Sequence, residues 1–187
     1  MTSRDGPYFS RGGLRDYMKP RWDITTWIKE DSNNDVWFTT MFDLYALPDD
    51  FPGYAEAQQA AAPCKKVAEL EKKLSEDINC PRFIPYIQLH EFEALLLADP
   101  SKLDWEFLEH EKAIQSLVHL MRDRNPEEIN DGEATAPSKR IIAAIPEYEG
   151  RKASSGPIVA SKIGLATLRK RCRHFADWVT RLEGLQR

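Results

Sequence analysis

Two apolar, β-branched runs stand out from the polar background of the chain, and both end in acid. Residues 36–43 (Val-Trp-Phe-Thr-Thr-Met-Phe-Asp) stop at Asp43, and residues 83–89 (Phe-Ile-Pro-Tyr-Ile-Gln-Leu) run into His90, Glu91, Phe92 and Glu93. Continuous runs of this length read as buried strands, with Phe38 and Ile87 mid-strand in the core. Between them, residues 55–78 are rich in Ala, Lys and Glu, and Val67, Leu70, Leu74 and Ile78 recur at helical spacing. Pro63 marks a point where that helix can divide. A helix between two such strands predicts a parallel pair joined by a crossover, with both C-terminal ends on one edge. Asp43, His90, Glu91 and Glu93 are then expected to share a rim, where open α/β sheets bind ligands.

The remaining pattern is mostly helical. Residues 1–13 carry Gly6, Pro7, Gly12 and Gly13 and read as a loop or frayed end. Leu14, Tyr17, Met18, Trp22, Trp27 and Ile28 predict an apolar helical stripe, offset near Pro20. Pro48, Pro52 and Gly53 make a loop of residues 44–53, in which Asp49 and Asp50 add two carboxylates. Beyond the second strand, residues 90–97 begin a helix with Glu91 and Glu93 in its first turn. Asp104 reads as the N-cap of a helix carrying Leu108, Ile114, Leu117, Val118 and Met121. An acidic loop over 126–133 leads to a short helix over 139–145, an exposed loop over 149–156 and a short helix over 157–164. Two last helices, 165–173 and 175–185, bring Leu168, Phe175, Trp178, Val179 and Leu182 to a common core. The expected fold is α/β: a core with a small parallel sheet over residues 1–100, and a helical C-terminal portion over 101–187 packed on it as one domain.

Composition narrows the function classes. A chain of 187 residues with 42% hydrophobic and 30% charged residues fits a globular protein, and no apolar stretch reaches membrane-spanning length. The N-terminal residues lack the apolar core of a signal peptide, so the expected location is cytoplasmic. A net charge of -4 argues against simple coating of nucleic acid, although Arg169, Lys170, Arg171 and Arg173 form a local basic patch. Cys64, Cys80 and Cys172 are widely spaced and odd in number, which speaks against a disulfide framework or a structural zinc.

The acidic rim is the chief chemical signal. Hard divalent cations such as Mg²⁺ take carboxylate oxygens and keep several waters, so one or two well-placed acids suffice. The competing reading has Asp43 capping a turn, Asp49 and Asp50 solvated, and Glu91 and Glu93 complementing a helix dipole. His90 fits a metal ligand, a general base or a hydrogen-bond partner for backbone. Pro137, Ser138, Lys139 and Arg140 open a helix whose free N–H groups can hold a phosphate, or which is simply capped and solvated. There is no Walker-type or dinucleotide-type glycine loop and no nucleophilic triad order.

Three ordered blocks carry a family resemblance: Thr-Thr-Met-Phe-Asp-Leu-Tyr-Ala-Leu-Pro-Asp-Asp-Phe-Pro-Gly over 39–53, Tyr-Ile-Gln-Leu-His-Glu-Phe-Glu-Ala-Leu-Leu from Tyr86, and Pro-Glu-Glu-Ile-Asn-Asp-Gly from Pro126 with Ala-Pro-Ser-Lys-Arg ending at Arg140. With the closing Ile-Gly-Leu, Cys-x-His-Phe and Trp segment, they resemble an uncharacterised bacterial family, domain of unknown function 4276. Its members look like Toprim-type α/β domains, the metal-dependent module of topoisomerases, primases and overcoming-lysogenization-defect nucleases. They are also similar to components encoded beside an ATPase in phage-defence loci. The resemblance implies that Asp43 stands at the end of the third Toprim strand and Glu91 and Glu93 at the fourth. It also implies a first strand ending in Val-Glu-Gly-x-Thr-Glu, which residues 1–13 do not supply, so a Toprim-like fold incomplete at its N-terminus is expected.

The expected function is a Mg²⁺-dependent nucleic-acid phosphodiesterase, or its degenerate relative, in a bacterial defence or DNA-processing system. Asp43, Glu91 and Glu93 are the expected catalytic residues, Asp43 and Glu91 the metal ligands, and Lys139 and Arg140 the phosphate contacts. The alternative is a non-catalytic interaction subunit that binds an ATPase and uses the rim only structurally. A two-stranded sheet also leaves unpaired edges, which predicts a homodimer through one edge or marginal stability.

Overall fold

The computed structural model describes residues 14–60, 62–129 and 135–186. Chain order begins with helix α1 (Met18–Glu30), in which Pro20 is tolerated because it lies in the first turn, where N–H groups lack helical partners. The Tyr17 N–H is held by the Asp50 carboxylate at 3.0 and 3.1 Å, so Asp50 fixes the start of α1 rather than joining the rim. The buried side of α1 is formed by Tyr17, Pro20, Ile24 and Ile28. Met18, Trp22 and Trp27 point outward at 64 to 66% exposure, which corrects the expected stripe.

The first run forms two short strand segments, β1 (Phe38–Thr39) and β2 (Phe42–Asp43), and the second forms β3 (Phe83–Ile84) and β4 (Ile87–Gln88). They pair in parallel, Phe38 with Phe83 and Phe42 with Ile87, in one unbroken register. The ladder is interrupted because two hydroxyls stand in for backbone groups. The Thr39 hydroxyl donates to the Ile84 carbonyl at 2.7 Å. The Thr40 hydroxyl donates to the Tyr86 carbonyl at 3.2 Å and accepts the Tyr86 N–H at 3.1 Å. Arg82 secures the turn before β1 by donating to the carbonyls of Asp31, Asn33 and Val36.

Between the paired runs lie a short helix, α2 (Tyr54–Ala57), and the long α3 (Pro63–Ile78), so the chain does divide ahead of Pro63, which opens α3. Val67, Leu70, Leu74 and Ile78 are its buried face, and Asn79 ends it in a left-handed conformation at φ 48°.

The second run divides two cores. Phe83, Ile87 and Leu89 face Tyr17, Leu44, Phe51 and the buried side of α3. Tyr86, on the alternate face, joins the helical core. That core is assembled from α4 (Glu93–Leu96), α5 (Glu111–Met121), α6 (Pro137–Ala144), α7 (Tyr148–Ile163), α8 (Leu165–Arg171) and α9 (Arg173–Glu183).

Three local expectations change. Asp104 does not cap α5: residues Pro100–Trp105 form a 3-10 turn capped by Asp99, α5 begins at Glu111, and Leu108 is 78% exposed. Residues 149–156 are not a loop but the first half of α7, which continues through Pro157. Burial of Tyr148, Ser155, Val159 and Ile163 along one side outweighs the weak helical propensity of the Gly and Ser residues. Phe38 is only half-buried, whereas Ile87 is fully buried. The frayed end expected at 1–13 and part of the acidic loop, 130–134, lie outside the described residues. Among the described residues, no helix is long and apolar enough to cross a membrane.

Candidate functional site

The parallel register brings the two acidic strand ends together as the sequence pattern required. Asp43, the last residue of β2, pairs with Gln88, and the chain then turns at His90. His90 has φ 65°, a left-handed value that costs a side-chain-bearing residue energy, and it is 1% exposed. Three hydrogen bonds hold it there. Its carbonyl accepts the Tyr45 N–H at 3.0 Å. Its Nε2–H donates to the Glu127 carbonyl at 2.9 Å, which leaves Nδ1 to accept the Tyr45 phenol proton at 2.8 Å. Burial lowers its pKa, so the ring is neutral near pH 7. Of the roles open to His90, the geometry selects backbone anchoring.

Past His90, Glu91 and Glu93 point to different supports. The Glu91 carboxylate accepts the Ser138 N–H at 2.6 Å and the Ser138 hydroxyl at 3.1 Å, so it sits at the N-terminus of α6. Glu93, 6% exposed in the first turn of α4, accepts the Tyr148 phenol proton at 3.2 Å and faces the Lys152 ammonium at 3.6 Å. Burial raises its pKa, with Glu91 adding to the effect and Lys152 opposing it.

Asp43 feels both glutamates. Burial, then the charges of Glu93 and Glu91, push its carboxyl up to about 6, against the pull of the Phe92 N–H and Lys152. Mutual repulsion among three carboxylates is therefore a property of the rim, and Lys152 is the cation that Asp43 and Glu93 share. An open cleft of about 420 Å³ lined by Leu14, Met41, Phe42, Asp43, Ala46 and Phe92 reaches Asp43.

The sequence-predicted residues thus divide. Asp43, Glu91 and Glu93 are brought together, while Asp49 and Asp50 are not part of the cluster: Asp49 contacts Tyr54 and Asp50 contacts Tyr17. Lys139 is exposed at the start of α6, and Arg140 donates to the carbonyls of Thr135 and Ile129 at 2.7 and 3.3 Å. The Ser138 N–H that a phosphate would meet there is held by Glu91. Sequence reasoning missed Tyr148 and Lys152, and it read Ser138 as part of a phosphate-holding helix start, whereas Ser138 donates to Glu91. Tyr148, Lys152 and Gly156 recur every four residues, a helical signal hidden by the neighbouring Gly, Ser and Pro residues. A Cβ at Gly156 would stand 3.2 Å from the Phe92 ring, so glycine there lets α7 approach the segment between Glu91 and Glu93.

Among the described residues, no group of three or more His, Cys, Asp or Glu side chains is placed to hold a metal ion. No curated protein and no solved structure matches the chain. The model of the domain of unknown function DUF4276 matches residues 5–183, and the chain belongs to that family.

Proposed function

We propose that the rim is a divalent-cation site serving phosphodiester chemistry on nucleic acid, with Asp43 and Glu91 ligating the cation and Glu93 completing the carboxylate set. The observation that carries this reading is the placement of Asp43, at a strand tip that lines a cleft and close enough to Glu93 and Glu91 for their charges, with burial, to work against its ionisation. Carboxylates placed for stability gather donors. Asp43 has the Phe92 N–H and the charge of Lys152, yet burial and repulsion prevail.

The chain's own groups then have separable roles. Ser138 holds Glu91 by two hydrogen bonds, and Tyr148 orients Glu93. Lys139 and Arg140, beside the Glu91–Ser138 contact, supply positive charge on a chain whose net charge is -4. A bound Mg²⁺ would supply Lewis-acid polarisation of a phosphoryl oxygen. The order of the acids, one at a strand end and two after the next parallel strand, is the order the Toprim resemblance implies.

Calorimetric titration with Mn²⁺ or Mg²⁺ tests the site. Asp43→Asn is expected to weaken binding by roughly tenfold or more, and Ser138→Ala, which removes one support of Glu91, by about tenfold. Equal binding by wild type and Asp43→Asn would sink the assignment. Cleavage of labelled single- and double-stranded DNA and RNA in Mn²⁺ tests the substrate class, with Glu91→Gln as the control that should be inactive.

A further inference from the structure

The basic patch at the end of α8 takes no part in the rim, and the fold enlarges it. Arg171 Nη2 donates to the carbonyls of Met121 at 2.6 Å and Arg124 at 2.8 Å, which ties the last turn of α8 to the end of α5. Glu127 makes a second tie, because its buried carboxylate accepts the N–H groups of His174 and Phe175 at 2.9 and 3.0 Å. Residues 121–128 and 169–178 are thereby held side by side. Arg122 and Arg124 come with the first segment, and Lys170, Arg171 and Arg173 with the second.

Arg169 stands apart, paired with Glu183 at 2.8 Å. Arg122, Arg124, Lys170 and Arg173 are exposed and form no ion pair among the described residues. The exposed acids of the two segments, Asp123, Glu128 and Asp177, are outnumbered by the five cations. Helix dipoles explain part of the gathering, since a cation is favourable at the C-termini of α5 and α8 and Arg171 meets that need directly. They do not require four more. Unpaired like charges held together repel, and a ligand that brings negative charge relieves the repulsion.

The surroundings select the kind of anion. Four of the five cations are arginines, whose guanidinium forks match phosphate oxygens in two-point contacts. Membrane binding would need an apolar face beside the charges, and no large hydrophobic residue of 121–128 or 169–178 is exposed. Cations spread over two helix ends suit a chain of repeated phosphates better than one small anion.

We propose that Arg122, Arg124, Lys170, Arg171 and Arg173 form a docking surface for the phosphate backbone of nucleic acid. The surface is separate from the acidic rim and works without any metal ion. Its contacts are to phosphates and carry no base specificity.

Anisotropy of a fluorescein-labelled oligothymidylate, in EDTA and over about 50 to 200 mM salt, tests this. Wild type should bind, with log affinity falling against log salt at a slope of about -3, the value for four or five contacts on a single strand. The double variant Arg122→Gln with Arg124→Gln should bind about tenfold or more weakly, and its slope should be shallower by about 1.4. Lys170→Gln with Arg173→Gln should do the same, while Lys29→Gln with Lys112→Gln, exposed lysines outside the two segments, should change affinity less than about twofold. All three pairs should keep a cooperative thermal melt, so that lost binding reports lost contacts. Absence of binding by wild type, a slope that neither patch pair alters, or an equal loss in the Lys29 and Lys112 pair would overturn the proposal. So would capture of wild type by phosphatidylserine vesicles without binding to the oligothymidylate. Since EDTA excludes divalent ions, failure of the cation titration at the rim leaves this result untouched.

Discussion

The two strand runs look alike in sequence, yet they occupy opposite situations. Every residue from Phe83 to His90 is buried, with the helical core on one face and α3 on the other. Along the first run only Thr40 is buried, and Thr39 and Met41 are exposed. Their outer edges differ as well. On the β4 side, Pro85 has no N–H, the Ile87 N–H donates to the Glu71 carboxylate at 2.8 Å, and the Ile87 carbonyl accepts from His174 Nε2 at 3.2 Å. Side chains thus replace a neighbouring strand, which is how the expected bare edge is closed there. On the β2 side, alternation turns the backbone groups of Thr39, Met41 and Asp43 outward, and the edge opens beside an apolar groove of about 310 Å³ lined by Leu14, Ile24, Trp27, Phe38 and Phe42. The buried strand carries stability, and the exposed one carries the repelling carboxylate.

That contrast is most directly broken by truncation. Ile87→Ala should cost about 2 to 5 kcal/mol in urea unfolding, since it empties a fully buried site, while Phe38→Ala should cost less than about 2 kcal/mol. Equal losses would mean that the two strands are equivalent after all.

The closed edge gives the next largest effect. Glu71→Ala should destabilise by about 1 to 3 kcal/mol by leaving the Ile87 N–H unsatisfied. It also changes the pH dependence. Burial alone would lower the His174 pKa, but Glu71 at 2.9 Å overrides it and raises the pKa above 6.5. A folded pKa above the unfolded one adds stability that is complete below pH 6.5 and is lost as pH rises through the folded value. Glu71→Gln should remove that decline from unfolding curves measured between about pH 6 and 8. A decline that persists in the variant would assign it to another group.

Asp43 sharpens the comparison from the open side. Its folded pKa of about 6 lies above the ordinary 3.8, so protonation favours the folded state and the wild type loses stability as pH rises from 3.8 through 6. Asp43→Asn, neutral throughout, should match wild type below pH 3.8 and exceed it by on the order of 1 kcal/mol at pH 7, allowing for solvent screening. A variant less stable than wild type at pH 7 would make Asp43 a structural cap. The smallest effect belongs to Met41→Lys, expected within about 0.5 kcal/mol of wild type because the side chain is 42% exposed. A larger loss would show that something covers this edge in solution.

Sequence by itself determined the features that depend on local pattern. The apolar runs ending at Asp43 and Leu89, the spacing of Val67, Leu70, Leu74 and Ile78, and the break ahead of Pro63 were enough to give a parallel pair and a shared acidic rim. Only the tertiary structure decided which features serve stability and which face solvent. Burial is a property of neighbours: Trp22 and Trp27 are as apolar as Phe83, but nothing among the described residues packs over them fully. The helix through 149–156 was illegible because its buried side, from Tyr148 to Ile163, outweighs Gly150, Gly156 and Pro157 only once the core exists. Lys152 and Ser138 lie 109 and 95 residues from Asp43 along the chain. No local pattern links them to it, because electrostatic contact depends on distance in the folded molecule rather than on separation in sequence.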